Sequence, residues 1–140
     1  MANAFRFAAA CAALLFLAAC DHMPKMSSDS ASSLTSELTK QLGVTQTQAE
    51  GGVGSMLAMA KNKLGSAQFD QISKVIPGSD KYVKAAQSLN TPLTDMNGVK
   101  TAFQKLGMSP DMVNQFKPVV LDYAGKVGGD QTKTLLASVL

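Results

Sequence analysis

An all-α fold is what the sequence predicts, and three observations carry it. From Leu34 onward, apolar residues recur every three or four positions in each long segment. These segments open on Ser, Thr or Asp and close on Gly or Pro, the residues that start and stop helices. No segment alternates apolar and polar residues over a sustained stretch, as a half-buried strand would. Together they give a compact bundle of about six to seven short helices with short connections.

Leu34, Leu38 and Leu42 form the first apolar stripe, and Gly43 ends it. Thr45, with Gln48 three residues on, has the form of a capping box. A long helix follows through Ala49, Val53, Met56, Leu57, Ala60 and Leu64, and Gly65 closes it. Ser66 is expected to cap a short helix bearing Phe69, Ile72, Val75 and Ile76, which Pro77-Gly78 stops. Ser79 opens the next, with Tyr82, Val83, Ala86 and Leu89 on one side, and Asn90-Thr91-Pro92 breaks it. Met96, Val99, Phe103 and Leu106 make another stripe, ended by Gly107. Ser109-Pro110 pairs an N-cap with a first-turn proline. It starts a second long helix through Met112, Val113, Phe116, Val120, Tyr123 and Val127. Gly128-Gly129 ends that helix, and Asp130 is expected to cap a last one with Leu135, Leu136, Val139 and Leu140.

Two stretches match at a constant offset of 64 residues. Gln41-Leu42-Gly43-Val44-Thr45 parallels Lys105-Leu106-Gly107-Met108-Ser109. Leu57 falls on Leu121, Ala60 on Ala124, Gly65 on Gly129 and Val75 on Val139. Either an internal duplication or recurrent capping chemistry produces such a match. A duplication predicts two pseudo-repeated helical hairpins around a pseudo-twofold axis.

Both long helices carry a weak point. Gly51, Gly52 and Gly54 each cost the first roughly 1 kcal/mol relative to Ala. Pro118, aligned with Gly54, lacks an N–H and opposes the carbonyl of Asn114 in the second. Two readings fit. One is a bend, or a close helix–helix crossing on Gly51, Gly54, Ser55 and Ala58. The other is a hinge, or a bare backbone on which a partner helix docks.

The N-terminus carries the most specific signal. Arg6 precedes an uncharged apolar run from Phe7 to Cys20, the pattern of a secretory signal. As a helix that run is about 21 Å long, short of a hydrocarbon core of about 30 Å. Leu17-Ala18-Ala19-Cys20 resembles the lipobox of bacterial lipoproteins. The resemblance implies cleavage between Ala19 and Cys20 and acylation of the Cys20 thiol. The protein is then anchored to a membrane through lipid on Cys20 rather than spanning it. Asp21 resembles the inner-membrane retention signal of enteric lipoproteins, with the outer membrane as the alternative. Cys11 leaves with the signal, so the mature chain has no disulfide. Residues 1–19 thus read as signal peptide, 20–33 as lipidated Cys and Ser-rich tether, and 34–140 as the helical domain.

Composition bounds the chemistry. A length of 140 residues suits one domain, and 46% hydrophobic content rules out a wholly disordered chain. A net charge of +3 is too small for a dominant nucleic-acid face. Two Cys and one His cannot build a Cys/His zinc site, and no metal or other cofactor is expected. His22 is the only His and lies in the tether, so the domain lacks a Ser/His/Asp or Cys/His arrangement. Asp95, Asp111 and Asp130 sit at helix starts, where capping and the helix dipole account for them. Gly51-Gly52-Val53-Gly54-Ser55 lacks the Gly-Lys-Ser/Thr ending and the preceding strand of a phosphate loop. No catalytic residue is assigned.

Lys61, Lys63, Lys74, Lys81 and Lys84 cluster against Asp70 and Asp80. They are a solvated face or a patch held against anionic lipid headgroups. Tyr82 and Tyr123 fit core stripes.

The blocks Leu38-Thr39-Lys40-Gln41-Leu42-Gly43-Val44-Thr45 and Gln48-Ala49-Glu50-Gly51-Gly52-Val53-Gly54 come first in the domain. Lys105-Leu106-Gly107-Met108-Ser109-Pro110-Asp111-Met112-Val113 follows, and then Pro118-Val119-Val120-Leu121. This order resembles the VcgC/VcgE family of uncharacterised bacterial proteins over about residues 34–140. The resemblance implies an exported all-helical domain and transfers no catalytic residue. The expected role is a non-catalytic interaction module with an envelope partner. The alternative is a carrier or sensor of a small apolar ligand between helices rich in Met56, Met59, Met96, Met108 and Met112.

Overall fold

The computed structural model describes residues 30–140; Ala19, Cys20, Asp21 and His22 lie outside the described residues. Six helical elements follow one another: α1 (Ser30–Leu42), α2 (Gln46–Leu64), α3 (Ser66–Val75), α4 (Ser79–Gln87), α5 (Met96–Lys105) and α6 (Met112–Ala137). The described residues contain no strand. α1 begins at Ser30, four residues ahead of the expected start of the domain at Leu34.

α2 is the centre of the bundle. It packs against all five other helices, and every residue from Gly51 to Ala60 is buried. A helix without a solvent face is a core helix. Its start is the expected capping box. The Thr45 side chain accepts from the Gln48 N–H at 3.2 Å, and the Thr45 N–H donates to Gln48 Oε1 at 3.0 Å.

The short connection Gly43–Thr45 folds α1 back along α2, so the two run antiparallel. α5 also runs antiparallel to α2: Leu106 lies against Gly51, and Phe103, one turn earlier in α5, lies against Gly52. The α5–α6 connection repeats the hairpin. The start of α1, the end of α2 and the Lys126 stretch of α6 therefore share one end of the bundle.

Three caps differ from expectation, the first being Ser109, which yields the N-cap position of α6 to Asp111, whose side chain makes no cap bond. Ser66 and Asp130 are the first residues of their helices, and the caps are the glycines before them. Gly65 adopts φ 76°, ψ 171° and makes no side-chain cap bond. Gly129 adopts φ 75°, ψ 177°. This backbone region is open almost only to glycine, so the turn itself selects the residue. Gly129 breaks the helical path of α6, which is therefore two helices meeting at one joint. Ser109 and Pro110 form a turn ahead of α6, where the Asp111 N–H donates to Ser109 Oγ at 3.4 Å.

The 64-residue offset is a structural repeat. Gly65 and Gly129 share one conformation, and Gly43 and Gly107 both have positive φ. Burial repeats as well: Leu38 and Ala102, Val44 and Met108, Met56 and Val120, Ala60 and Ala124, Ile72 and Leu136, Ile76 and Leu140 are all core pairs. Gly52 and Phe116 are also equivalent, and they touch each other. The two repeats therefore meet at this pair.

Candidate interaction surface

The three glycines of α2 each admit a different neighbour. A Cβ on Gly51 would lie 2.7 Å from Leu106 Cδ1. One on Gly52 would lie 2.6 Å from Phe116 Cε1 and 3.1 Å from Phe103 Cζ. One on Gly54 would run into the Tyr82 carbonyl oxygen and lie 3.1 Å from Ala86 Cβ. At Gly54, then, the α4 backbone rests directly on α2. Ser55 is fully buried, and its hydroxyl donates back to the carbonyls of Gly51 at 2.5 Å and Gly52 at 3.2 Å.

Pro118 differs from its counterpart. It lies on the exposed side of α6, which keeps helical φ/ψ there and departs from it only at Gly129. Asn114 is exposed too, so its released carbonyl faces water.

The segment between α4 and α5 is pinned from several sides. Lys105 Nζ donates to the carbonyls of Leu89 at 2.7 Å and Asn90 at 3.1 Å. Asn62 Nδ2 donates to the Leu93 carbonyl at 2.9 Å. The Asp95 carboxylate caps α5 by accepting from the Gly98 N–H at 2.8 Å. A Cβ on Gly98 would strike the Pro92 carbonyl. These positions are tightly built and polar, but they hold structure together.

The titratable groups are mostly on the surface. Lys63, Lys74, Lys81 and Lys84 are exposed, and Lys61 Nζ sits 5.5 Å from the centre of the Phe69 ring. The ion pair among the described residues is Lys133–Asp122 at 3.2 Å, and both side chains are exposed. Burial and the neighbouring Glu37 carboxylate push the Tyr123 hydroxyl above its ordinary value. No three His, Cys, Asp or Glu residues gather to hold a metal among the described residues. None of the described helices is long and apolar enough to cross a membrane.

An open groove of about 480 Å³ lies between α3 and the end of α6. Gln68, Gln71, Gln131, Asp130, Thr134, Leu135 and Ser138 line it. No motif marks these residues; α3 packs on α6 and brings them together. Met56, Met59 and Met108 belong to the buried core, while Met96 and Met112 pack at its edge.

Residues 18–140 match the family described as protein of unknown function VcgC/VcgE (DUF2780). The chain belongs to the VcgC/VcgE family. No curated protein and no solved structure matches it. In this VcgC/VcgE protein the matched span takes in Cys20 as well as all six helices. The glycine contacts of α2, the joints at Gly65 and Gly129, and the lysines at the end of α2 all lie within the matched span.

Proposed function

We propose that this VcgC/VcgE protein is a lipid-anchored, non-catalytic helical module of the bacterial envelope, facing the periplasm and acting through a protein partner. The observation that carries the reading is Leu17-Ala18-Ala19-Cys20 at the end of a short apolar run behind Arg6. The thiol of Cys20 takes the lipid, and the buried acyl methylenes hold the chain at about 0.8 kcal/mol each. The domain supports the same reading by its chemistry. Its carboxylates are spread over separate helices, and its single His and both Cys lie outside it. Asp21 favours the inner membrane.

The test is crosslinking and affinity capture of the intact protein from cells, beside a Cys20→Ala control. The reading predicts a reproducible envelope protein that is lost or depleted with the control. Capture unaffected by Cys20→Ala, or no reproducible partner, contradicts it.

A further inference from the structure

The end of the bundle at which the chain enters the fold is basic. Ser30 starts α1 there, and the antiparallel hairpin sets it beside the end of α2, which carries Lys61 and Lys63. The first part of α6 ends at the same side with Lys126. Lys74 joins them, because its neighbour Val75 packs on Gly128, two residues past Lys126. All four lysines are exposed. Asp70 and Asp130 are the nearby acids, and Asp122 is already engaged by Lys133. The opposite end, at the α1–α2 turn and the end of α5, carries Lys40 and Lys105, and Lys105 is engaged by the carbonyls of Leu89 and Asn90.

We propose that this end is a docking surface for the anionic headgroups of a membrane, held by Lys61, Lys63, Lys74 and Lys126. The inference rests on the lipid-anchor reading and adds an orientation to it. Residues 1–29 reach the domain at Ser30, so the tether from a lipid on Cys20 joins the fold at this end and not at the Lys40 end. Lysines near an anionic surface each strengthen the attraction about fivefold, and the effect fades within a Debye length. Two short helices, α3 and the last part of α6, form the layer that meets the surface. Their outward residues Gln68, Gln71, Gln131 and Thr134 are neutral and polar, and Asp70 and Asp130 are the acids that the four lysines outnumber there.

The test uses the full chain expressed with its export signal, extracted in detergent and reconstituted with vesicles. One set is phosphatidylcholine alone and the other a phosphatidylcholine–phosphatidylglycerol mixture. Flotation reads anchoring, and a water-soluble amine-acetylating reagent reads each lysine separately. The proposal predicts that Lys61, Lys63, Lys74 and Lys126 are protected only on the mixed vesicles, while Lys40 stays reactive on both. The variant K61Q/K63Q/K126Q, with an unchanged melting curve as the folding control, should lower the docking equilibrium about a hundredfold. Flotation on both vesicle types with equal lysine reactivity overturns the docking and leaves the anchor standing. Flotation only on the mixed vesicles, with the four lysines protected, overturns the anchor and leaves the docking. Protection of Lys81 and Lys84 in place of the four also overturns the docking, and failure to float on either vesicle type overturns both readings.

Discussion

Phe116 lays the edge of its ring on Gly52, the residue at the equivalent position of the other repeat. The bare backbone at Gly52 is what admits it, since a Cβ there would lie 2.6 Å from Phe116 Cε1. Phe103 converges on the same glycine and meets the Phe116 ring edge-on, at 4.9 Å between centroids and 76° between planes. One small and one large residue thus fill the contact between the two repeats, where two copies of either would leave a hole or collide.

Gly52→Ala is therefore predicted to destabilise the fold by about 1–3 kcal/mol, although alanine is the better helix former. Both rings it would strike are fully buried. Gly51→Ala should cost less, because Leu106 is only partly buried and can turn away. Urea denaturation of the two variants checks the order. Equal losses, or a gain at Gly52, would show that the ring contact is not what excludes a side chain.

Gly54→Ala should be the most damaging of the three, at about 3 kcal/mol. The atom it meets is the Tyr82 backbone carbonyl, which moves only if α4 moves. Amide exchange should speed up selectively across residues 79–87. Unchanged exchange in α4 would refute the close crossing.

Pro118→Ala should stabilise the protein by about 1–3 kcal/mol. The substitution restores the N–H to the Asn114 carbonyl on an exposed face, with no neighbour to disturb. A loss of stability would mean that the proline is needed in the folded state and revive the hinge.

Gly65→Ala and Gly129→Ala should each cost about 1–3 kcal/mol, and by similar amounts. Nothing lies within 4 Å of a Cβ at either site, so the penalty is backbone strain alone. Thermal melts of the pair test the repeat. A large loss at one and none at the other would deny that the two joints are equivalent.

Stability should fall above pH 10. The Tyr123 hydroxyl is held above its ordinary value of 10.0 by burial and then by Glu37. The folded chain keeps this proton at a pH where the unfolded chain has released it. The stabilisation is thus complete below pH 10 and is lost as pH rises toward the folded value. Tyr123→Phe should flatten the decline of Tm between about pH 9 and 11. An equal decline in the variant would assign it to other groups.

Much of this fold is legible in the chain, and the exceptions have physical reasons. Thr45 and Gln48 announce their capping box because both partners are local. The repeat is legible through Leu42-Gly43 and Leu106-Gly107, since helix ends need few residue types. Ser66 and Asp130 look like caps only because good capping residues follow glycines that already make the turn. Gly51, Gly52 and Gly54 announce a close approach but not to whom. Leu106, Phe116 and Tyr82 come from three different helices, and nothing local names them. Pro118 suggests a bend by its chemistry, and its place on the surface removes the need for one. The lysine-bearing end was half legible: Lys61, Lys63 and Lys74 are neighbours in the chain, but Lys126 joins them only through the second hairpin.

The anchor itself decides the account. Mass spectrometry of the N-terminal peptide of the protein purified from membranes should find the chain cut after Ala19, with diacylglycerol in thioether linkage on Cys20. An unmodified Cys20, or a mature chain that starts at another residue, would contradict it.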